Sequence, residues 1–223
     1  MPNLYLVGGA VRDHLLNIKT KDLDYIIETT DYNLARDYIN SLGCKIVQER
    51  PEYGVFRAVH PTRGGIDFAL PRVDFNHNGR HSQTAITSSI VEDLARRDFT
   101  MNAIALPVDN DLSITGELID PFNGQQDIQD RLIRFVGSPQ ERIEEDNLRV
   151  LRALRFSITK GFALEGETLE AITDTVINGL VSPERIFEEL NKMFLVDNIK
   201  TIQLLTETNQ LCILNRIKLT AST

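Results

Sequence analysis

Lys21-Asp22-Leu23-Asp24-Tyr25-Ile26-Ile27 sets two aspartates two residues apart in a β-prone run, so both carboxylates point to one face of a strand. Two like charges so placed repel each other unless a cation lies between them. Mg²⁺ is a hard ion held by one or two protein carboxylates together with substrate phosphates, which makes Asp22 and Asp24 candidate metal ligands. A solvated acidic strand end is the other meaning of the same residues. A third carboxylate, Asp67, stands in Gly65-Ile66-Asp67-Phe68-Ala69-Leu70-Pro71-Arg72, where alternation turns it away from Ile66 and Phe68. If that strand pairs beside Asp22 and Asp24, Asp67 completes a carboxylate triad; otherwise it is an exposed strand residue.

Gly8-Gly9-Ala10-Val11-Arg12-Asp13 offers a partner for such a site. A strand, a glycine turn and a helix N-terminus present unpaired backbone N–H groups and a positive dipole end, which suit a triphosphate. Arg12 in the first turn disfavours the helix electrostatically unless an anion sits close by. An ordinary glycine turn is the plain alternative, and Gly-x-Gly-x-x-Gly is absent, so a dinucleotide site is a poor fit.

The richest cationic segment is Glu145-Asp146-Asn147-Leu148-Arg149-Val150-Leu151-Arg152-Ala153-Leu154-Arg155-Phe156. At about 100° per residue, Val150, Leu151, Leu154 and Ile158 gather on one side of a helix. Arg149, Arg152 and Arg155 form a stripe on the other, and Asp146 continues it one turn earlier. A solvated face explains such a stripe; the absence of lysine favours planar or bidentate recognition of phosphates and bases. Asp146 beside Arg149 sets an acceptor next to a fork of donors. Cytosine and adenine present an amino donor beside a ring-nitrogen acceptor, which matches the pair. Uracil and guanine present the reverse order, which opposes it.

The elements that must position these residues follow from periodicity and turn chemistry. Leu4 to Val7 reads as a strand, Val11 to Leu16 as a helix, Leu23 to Ile27 as a second strand and residues 32 to 42 as a helix. Further strands are expected at Lys45 to Gln48, Val55 to Val59 and Ile66 to Leu70, with a weakly ordered loop from Asp74 to Ser89. This alternation is an α/β pattern. Beyond about residue 138 the pattern is helical only. Ser138-Pro139-Gln140-Glu141 and Ser182-Pro183-Glu184-Arg185 both place a serine cap before a first-turn proline, and Gly161 marks a helix stop.

At 223 residues with 42% hydrophobic content the chain can bury one compact domain or two small ones without staples. Cys44 and Cys212 fit neither a metal-ligand nor a disulfide spacing; both read as packing residues of a protein in a reducing cytoplasm. No stretch approaches the roughly 18 apolar residues of a membrane span, so a soluble, cytoplasmic protein is expected. The net charge of -8 argues against a surface that coats nucleic acid, so any RNA contact must be local.

Assembled, these segments resemble the class II (bacterial-type) CCA-adding tRNA nucleotidyltransferase and poly(A) polymerase family. The matching pieces are LVGGAVRD (6 to 13), KDLDY (21 to 25), IDFALPR (66 to 72), DLARRDFTMNAIA (93 to 105), IDPFNG (119 to 124), EEDNLRVLRALRF (144 to 156) and SPERIFEELNKMF (182 to 194). They stand in the family's order and cover the chain to about residue 195. The resemblance implies an α+β fold: a polymerase-β-like nucleotidyltransferase head with a mixed sheet over 1–137, then an all-α neck and shortened body over 138–223. It implies that Asp22 and Asp24 bind two Mg²⁺ ions, with Asp67 as the third catalytic carboxylate. Gly8, Gly9 and Arg12 would contact the triphosphate and Arg97 the incoming nucleotide, while Asp98 holds the ribose or shapes the site. Asp146 and Arg149 would read the base edge, Arg152 and Arg155 would line the pocket, and Asp120 and Gly124 resemble a short hinge motif.

The implied activity is template-independent addition of C and A to the tRNA 3′ acceptor end from CTP and ATP, with release of pyrophosphate. A poly(A) polymerase or a partial CC- or A-adding enzyme shares every motif. Asn78-Gly79-Arg80-His81 resembles the flexible loop used in A addition; His77 and His81 read as polar loop residues. An idle RNA-binding homologue is opposed by the intact Asp22, Asp24, Arg97, Asp146 and Arg149. The departure is length. Either a short form holds tRNA in another way, for example as a homo-oligomer, or the chain is incomplete.

Overall fold

The computed structural model describes residues 1–20, 22–75, 83–177 and 181–216. The chain divides into two compact units, Met1–Asn76 with Gln83–Gln129 and a second built on Asp130–Thr223. The first opens with strand β1 (Asn3–Val7), helix α1 (Gly9–Leu15), strand β2 (Leu23–Glu28) and helix α2 (Tyr32–Ser41). Strands β3 (Lys45–Arg50), β4 (Val55–His60) and β5 (Gly64–Ala69) follow. These match the expected elements to within a few residues.

Strand β8 (Ala105–Val108) closes the far edge of a six-stranded sheet ordered β3-β4-β5-β2-β1-β8. The sheet is mixed: β2 and β5 run parallel, while the other neighbours are antiparallel. One face carries the row Phe56, Phe68 and Tyr25, paired across β4, β5 and β2. Tyr25 stacks on Phe68 at 5.5 Å, and Tyr32 of α2 stacks on Phe56 at 4.6 Å. Burial of this row fixes the register, because a one-residue slip would turn every side chain to the other face.

A pair of strands reaches into what sequence marks as a weakly ordered loop from Asp74 to Ser89. β6 (Arg72–Phe75) and β7 (Gln83–Ile86) form an antiparallel pair, tied where the Thr87 N–H donates to the Pro71 carbonyl. Backbone pairing here overrides a polar composition that gives no alternation. Asn78-Gly79-Arg80-His81 and His77 lie outside the described residues. Helices α3 (Ile90–Ala95) and α4 (Gly124–Gln129) complete the unit.

The second unit comprises strand β9 (Leu132–Ile133), helices α5 (Pro139–Glu145) and α6 (Leu148–Lys160), and strand β10 (Ala163–Leu164). Helices α7 (Gly166–Asp174), α8 (Pro183–Phe194) and α9 (Asn198–Glu207) follow. The expected helix-only pattern is corrected by the short parallel ladder of β10 on β9. Ser138 and Ser182 cap as expected, accepting from the Glu141 and Arg185 N–H groups, and Gly161 ends α6 in the left-handed conformation. A second correction concerns Asp146, which lies between α5 and α6 and not on a continuous helix. Its backbone is extended, and the Asn147 side chain donates to the Ile143 carbonyl, closing α5 before α6 begins. Cys44 is buried as expected, whereas Cys212 is exposed, in a stretch where Ile213 is the buried residue.

Candidate active site

β2 and β5 run parallel with Asp24 opposite Asp67, and β4 sets Arg57 opposite Asp67 in turn. All three therefore share the sheet face opposite the aromatic row. Ile66 and Phe68 flank Asp67 and are buried, so the carboxylate is left on the open side, as alternation predicts. Asp22, one residue before β2, is exposed. The Asp24 carboxyl is pushed above its usual range, first by loss of hydration and then by the charge of Asp67. Arg97 pulls it down, and Asp22 adds to the rise. The Asp24 residue keeps an open surface, so its desolvation is partial.

Asp67 also meets Arg57 at 3.4 Å, an exposed pair. Among the described residues no three His, Cys, Asp or Glu side chains close into a metal-sized group. The donor chemistry still suits a hard cation: three anionic oxygen donors lie within electrostatic reach, and Asp24 is held in a field that opposes its ionisation.

The turn between β1 and α1 requires glycine. Gly8 has φ 67°, and a Cβ there would stand 2.8 Å from Nη1 of Arg97. Arg97 therefore lies directly against the turn, and its charge reaches Asp24. The Arg12 guanidinium is buried and directed elsewhere. It donates to Asp13 at 2.9 and 2.7 Å and to Oδ1 of Asn102 at 2.7 Å. The anion that Arg12 needs in the first turn is thus its own neighbour. Asn102 in turn donates to Asp98, which also accepts from the Phe99 N–H, so Asp98 belongs to a buried network behind the turn. Asp120 caps α4 through the Gly124 and Gln125 N–H groups at 2.7 and 2.8 Å.

In the second unit, Val150, Leu151, Leu154 and Ile158 of α6 are buried, as the apolar stripe predicts. Each charged residue opposite them has a protein partner. Asp146 takes a bidentate contact from Arg185 at 2.7 and 3.3 Å and accepts the Leu148 N–H at the start of α6. Arg149 donates to Glu145 and to the Arg142 carbonyl. Arg155 donates to the buried Glu189 of α8 and lies 3.8 Å over the Phe156 ring. Arg152 lies 5.9 Å from the same ring. The stripe is therefore an interface with α8 as much as an open face.

A profile described as "Poly A polymerase head domain" matches residues 4–134. The chain belongs to the class II CCA-adding enzyme and poly(A) polymerase family. A second profile, "Probable RNA and SrmB- binding site of polymerase A", matches residues 161–215 of this family member. Among curated relatives, the CCA-adding enzyme of Staphylococcus epidermidis is 35% identical over 198 residues, 88% of this chain and 47% of the relative. The Bacillus stearothermophilus CCA-adding enzyme, solved in complex with CTP, superposes with a TM-score of 0.78 at 33% identity. The match covers 93% of this chain and 48% of that one. A Thermotoga maritima CCA-adding enzyme complexed with tRNA gives a TM-score of 0.77 at 29% identity, over 95% and 48%. The chain spans about half the length of the curated relatives it matches.

Several partners in this chain escaped the reading of residue types. Asp93 carries Arg96 and Arg97, and Arg185 engages Asp146. Spacing holds the first signal: Asp93 stands three and four residues before the two arginines, one turn of a helix. The Arg185 contact spans 39 residues of sequence, and no local pattern announces it.

Proposed function

We propose that this chain adds C and A nucleotides to the 3′ acceptor end of tRNA without a template, using CTP and ATP and releasing pyrophosphate. The observation that carries the reading is Asp24 beside Asp67 on an open sheet face, with Arg97 against the Gly8 turn. The relatives, CCA-adding enzymes of twice this length, support it.

Asp22 and Asp24, with Asp67 as third carboxylate, would hold two Mg²⁺ ions, which when bound activate the RNA 3′-hydroxyl and neutralise charge on the triphosphate. The hydroxyl oxygen forms a new bond to the α-phosphorus as the bond to the β-phosphate oxygen breaks, and pyrophosphate leaves. Backbone N–H groups after Gly8 and Gly9, together with Arg97, face the phosphates. Arg12, bound to Asp13 and Asn102, supports the turn from behind. Catalysis by this chain's residues then rests on positioning and charge. In the helical unit Asp146 and Arg149 read the amino and ring-nitrogen edge of C and A, and Arg152 and Arg155 line that pocket. We assign the reaction to the cytoplasm, and a homo-oligomer would combine two surfaces for one tRNA.

Incubation with a tRNA ending at its discriminator base, with each NTP separately and then CTP plus ATP, followed by sequencing of product ends, tests this. C residues from CTP alone and CCA from both nucleotides are expected. No extension, or equal extension by all four nucleotides, overturns the reading. The description of the head-domain profile favours one second reading, a poly(A) polymerase. Long A tracts from ATP alone on unrelated RNA would select it.

A further inference from the structure

Asp93 of α3 is fully buried, at 0% exposure. Its two carboxylate oxygens serve different partners. Oδ1 accepts from Arg96 Nε at 3.0 Å and from the Arg72 backbone N–H, at the start of β6, at 3.1 Å. Oδ2 accepts from Arg97, through Nε at 3.3 Å and Nη2 at 2.9 Å. A carboxylate taken wholly out of water is strongly disfavoured unless it is paired and hydrogen-bonded, and here the two guanidinium groups hold it ionised, below the usual carboxylate range.

The Nε–Nη2 edge of the Arg97 fork is thereby fixed. Nε and Nη2 are held by Asp93, and Nη1 reaches the Asn102 carbonyl at 3.4 Å. That same Nη1 lies 2.8 Å from where a side chain on Gly8 would begin. Arginine is a planar, rigid donor whose direction matters, unlike the point charge of lysine. A guanidinium held on one edge by a buried carboxylate loses little further freedom when an anion meets the other. Three cations, Arg72, Arg96 and Arg97, crowd Asp93, and burial together with Arg96 pushes Arg72 below its usual range. The Arg72 Nε–H is buried with no hydrogen-bond partner among the described residues. Asp74, 3.8 Å from Nη1 of Arg96, adds a second carboxylate, and the three cations still exceed the two anions.

We infer that Asp93 is a positioning residue that aims Arg97 at the phosphates of the incoming nucleotide. This rests on the reading that the head binds CTP and ATP. A merely structural Asp93 would anchor β6 to α3 through the Arg72 N–H and leave nucleotide affinity untouched in any variant that folds.

The test combines CTP binding by isothermal titration calorimetry with steady-state kinetics on tRNA for the wild type, Asp93→Asn, Arg97→Ala and the double variant. Asp93→Asn is expected to raise the CTP Kd and KM on the order of tenfold, the scale of a lost charge-assisted hydrogen bond, with a smaller effect on kcat. In the Arg97→Ala background the same change should add little, because the two act as one unit. Additive losses in the double variant, or wild-type Kd in a folded Asp93→Asn protein, overturn the inference. Should Asp93→Asn fail to fold, Arg97→Lys decides. It keeps the charge and the Asp93 contacts to Arg96 and the Arg72 N–H, so wild-type CTP affinity there shows that the aimed fork is not needed, while a tenfold loss supports it. A wild type that binds CTP but extends no tRNA removes the functional reading and leaves the binding arm to judge Asp93. A wild type that extends tRNA beside a folded Asp93→Asn with normal CTP affinity removes the Asp93 inference alone.

Discussion

Asp24 and Asp67 face each other across a parallel pair of strands, an arrangement that like charges oppose. Loss of hydration, and then the charge of Asp67, make the folded protein bind a proton at Asp24 more tightly than the unfolded chain does. A carboxyl raised in the folded state contributes stability that is complete below its unfolded value and is lost as pH rises through the folded one. At neutral pH, without metal, ionised Asp24 thus works against the fold. Asp24→Asn should raise the melting temperature of the metal-free protein by about 1–3 °C at pH 7. The gain should vanish at a pH below the carboxylate range, as differential scanning calorimetry at both pH values would show. The Asp-x-Asp pair was legible in sequence because a strand's period of two is independent of what surrounds it. Asp13 beside Arg12 was not, because a buried ion pair depends on which side chains tertiary packing takes out of water; Asp93 beneath Arg97 left only its helical spacing as a signal.

At the scale of elements, the head is held behind its site by α4 and the 3-10 turn at Thr100–Asn102. A Cβ on Gly124 would lie 2.0 Å from the Thr100 carbonyl oxygen, and Thr100 donates to Asp127 of the same helix at 2.6 Å. Gly124→Ala should therefore cost about 2–3 kcal/mol by overpacking and lower the melting temperature by roughly 5–10 °C, measurable by thermal unfolding. The alternating β5, the apolar stripe of α6 and the short continuous apolar runs of β1 and β2 could be read directly. β8 could not: Ala105-Leu106-Pro107-Val108 contains a proline, tolerated because β8 is an edge strand. The break between α5 and α6 was hidden for another reason, since Asp146 and Asn147 fit the helical stripe until their side chains cap the neighbouring helices.

That break bears on specificity. Asp146 stands at a helix junction, gripped by Arg185, which fixes its acceptor oxygens. Asp146→Ala should raise the rates of UTP and GTP addition relative to CTP and ATP, because it removes the acceptor that opposes a base oxygen. Single-addition rates with each NTP check this; an unchanged ranking at lower speed would return Asp146 to a capping role.

The whole molecule carries a net charge of -8, and the cations described here are largely engaged by carboxylates. A tRNA must then be gripped by a few local arginines, so affinity should be modest and fall steeply with salt. Binding titrations between about 50 and 200 mM salt would show a loss of at least tenfold; salt-insensitive tight binding by a monomer would contradict it. The proposed nucleotidyl transfer depends above all on the paired aspartates of the head's sheet face. The most direct measurement is incorporation of radiolabelled CTP into tRNA by Asp22→Ala and Asp24→Ala proteins whose folding matches the wild type. Addition should be abolished in both, and wild-type turnover in either variant would contradict the assignment of these carboxylates.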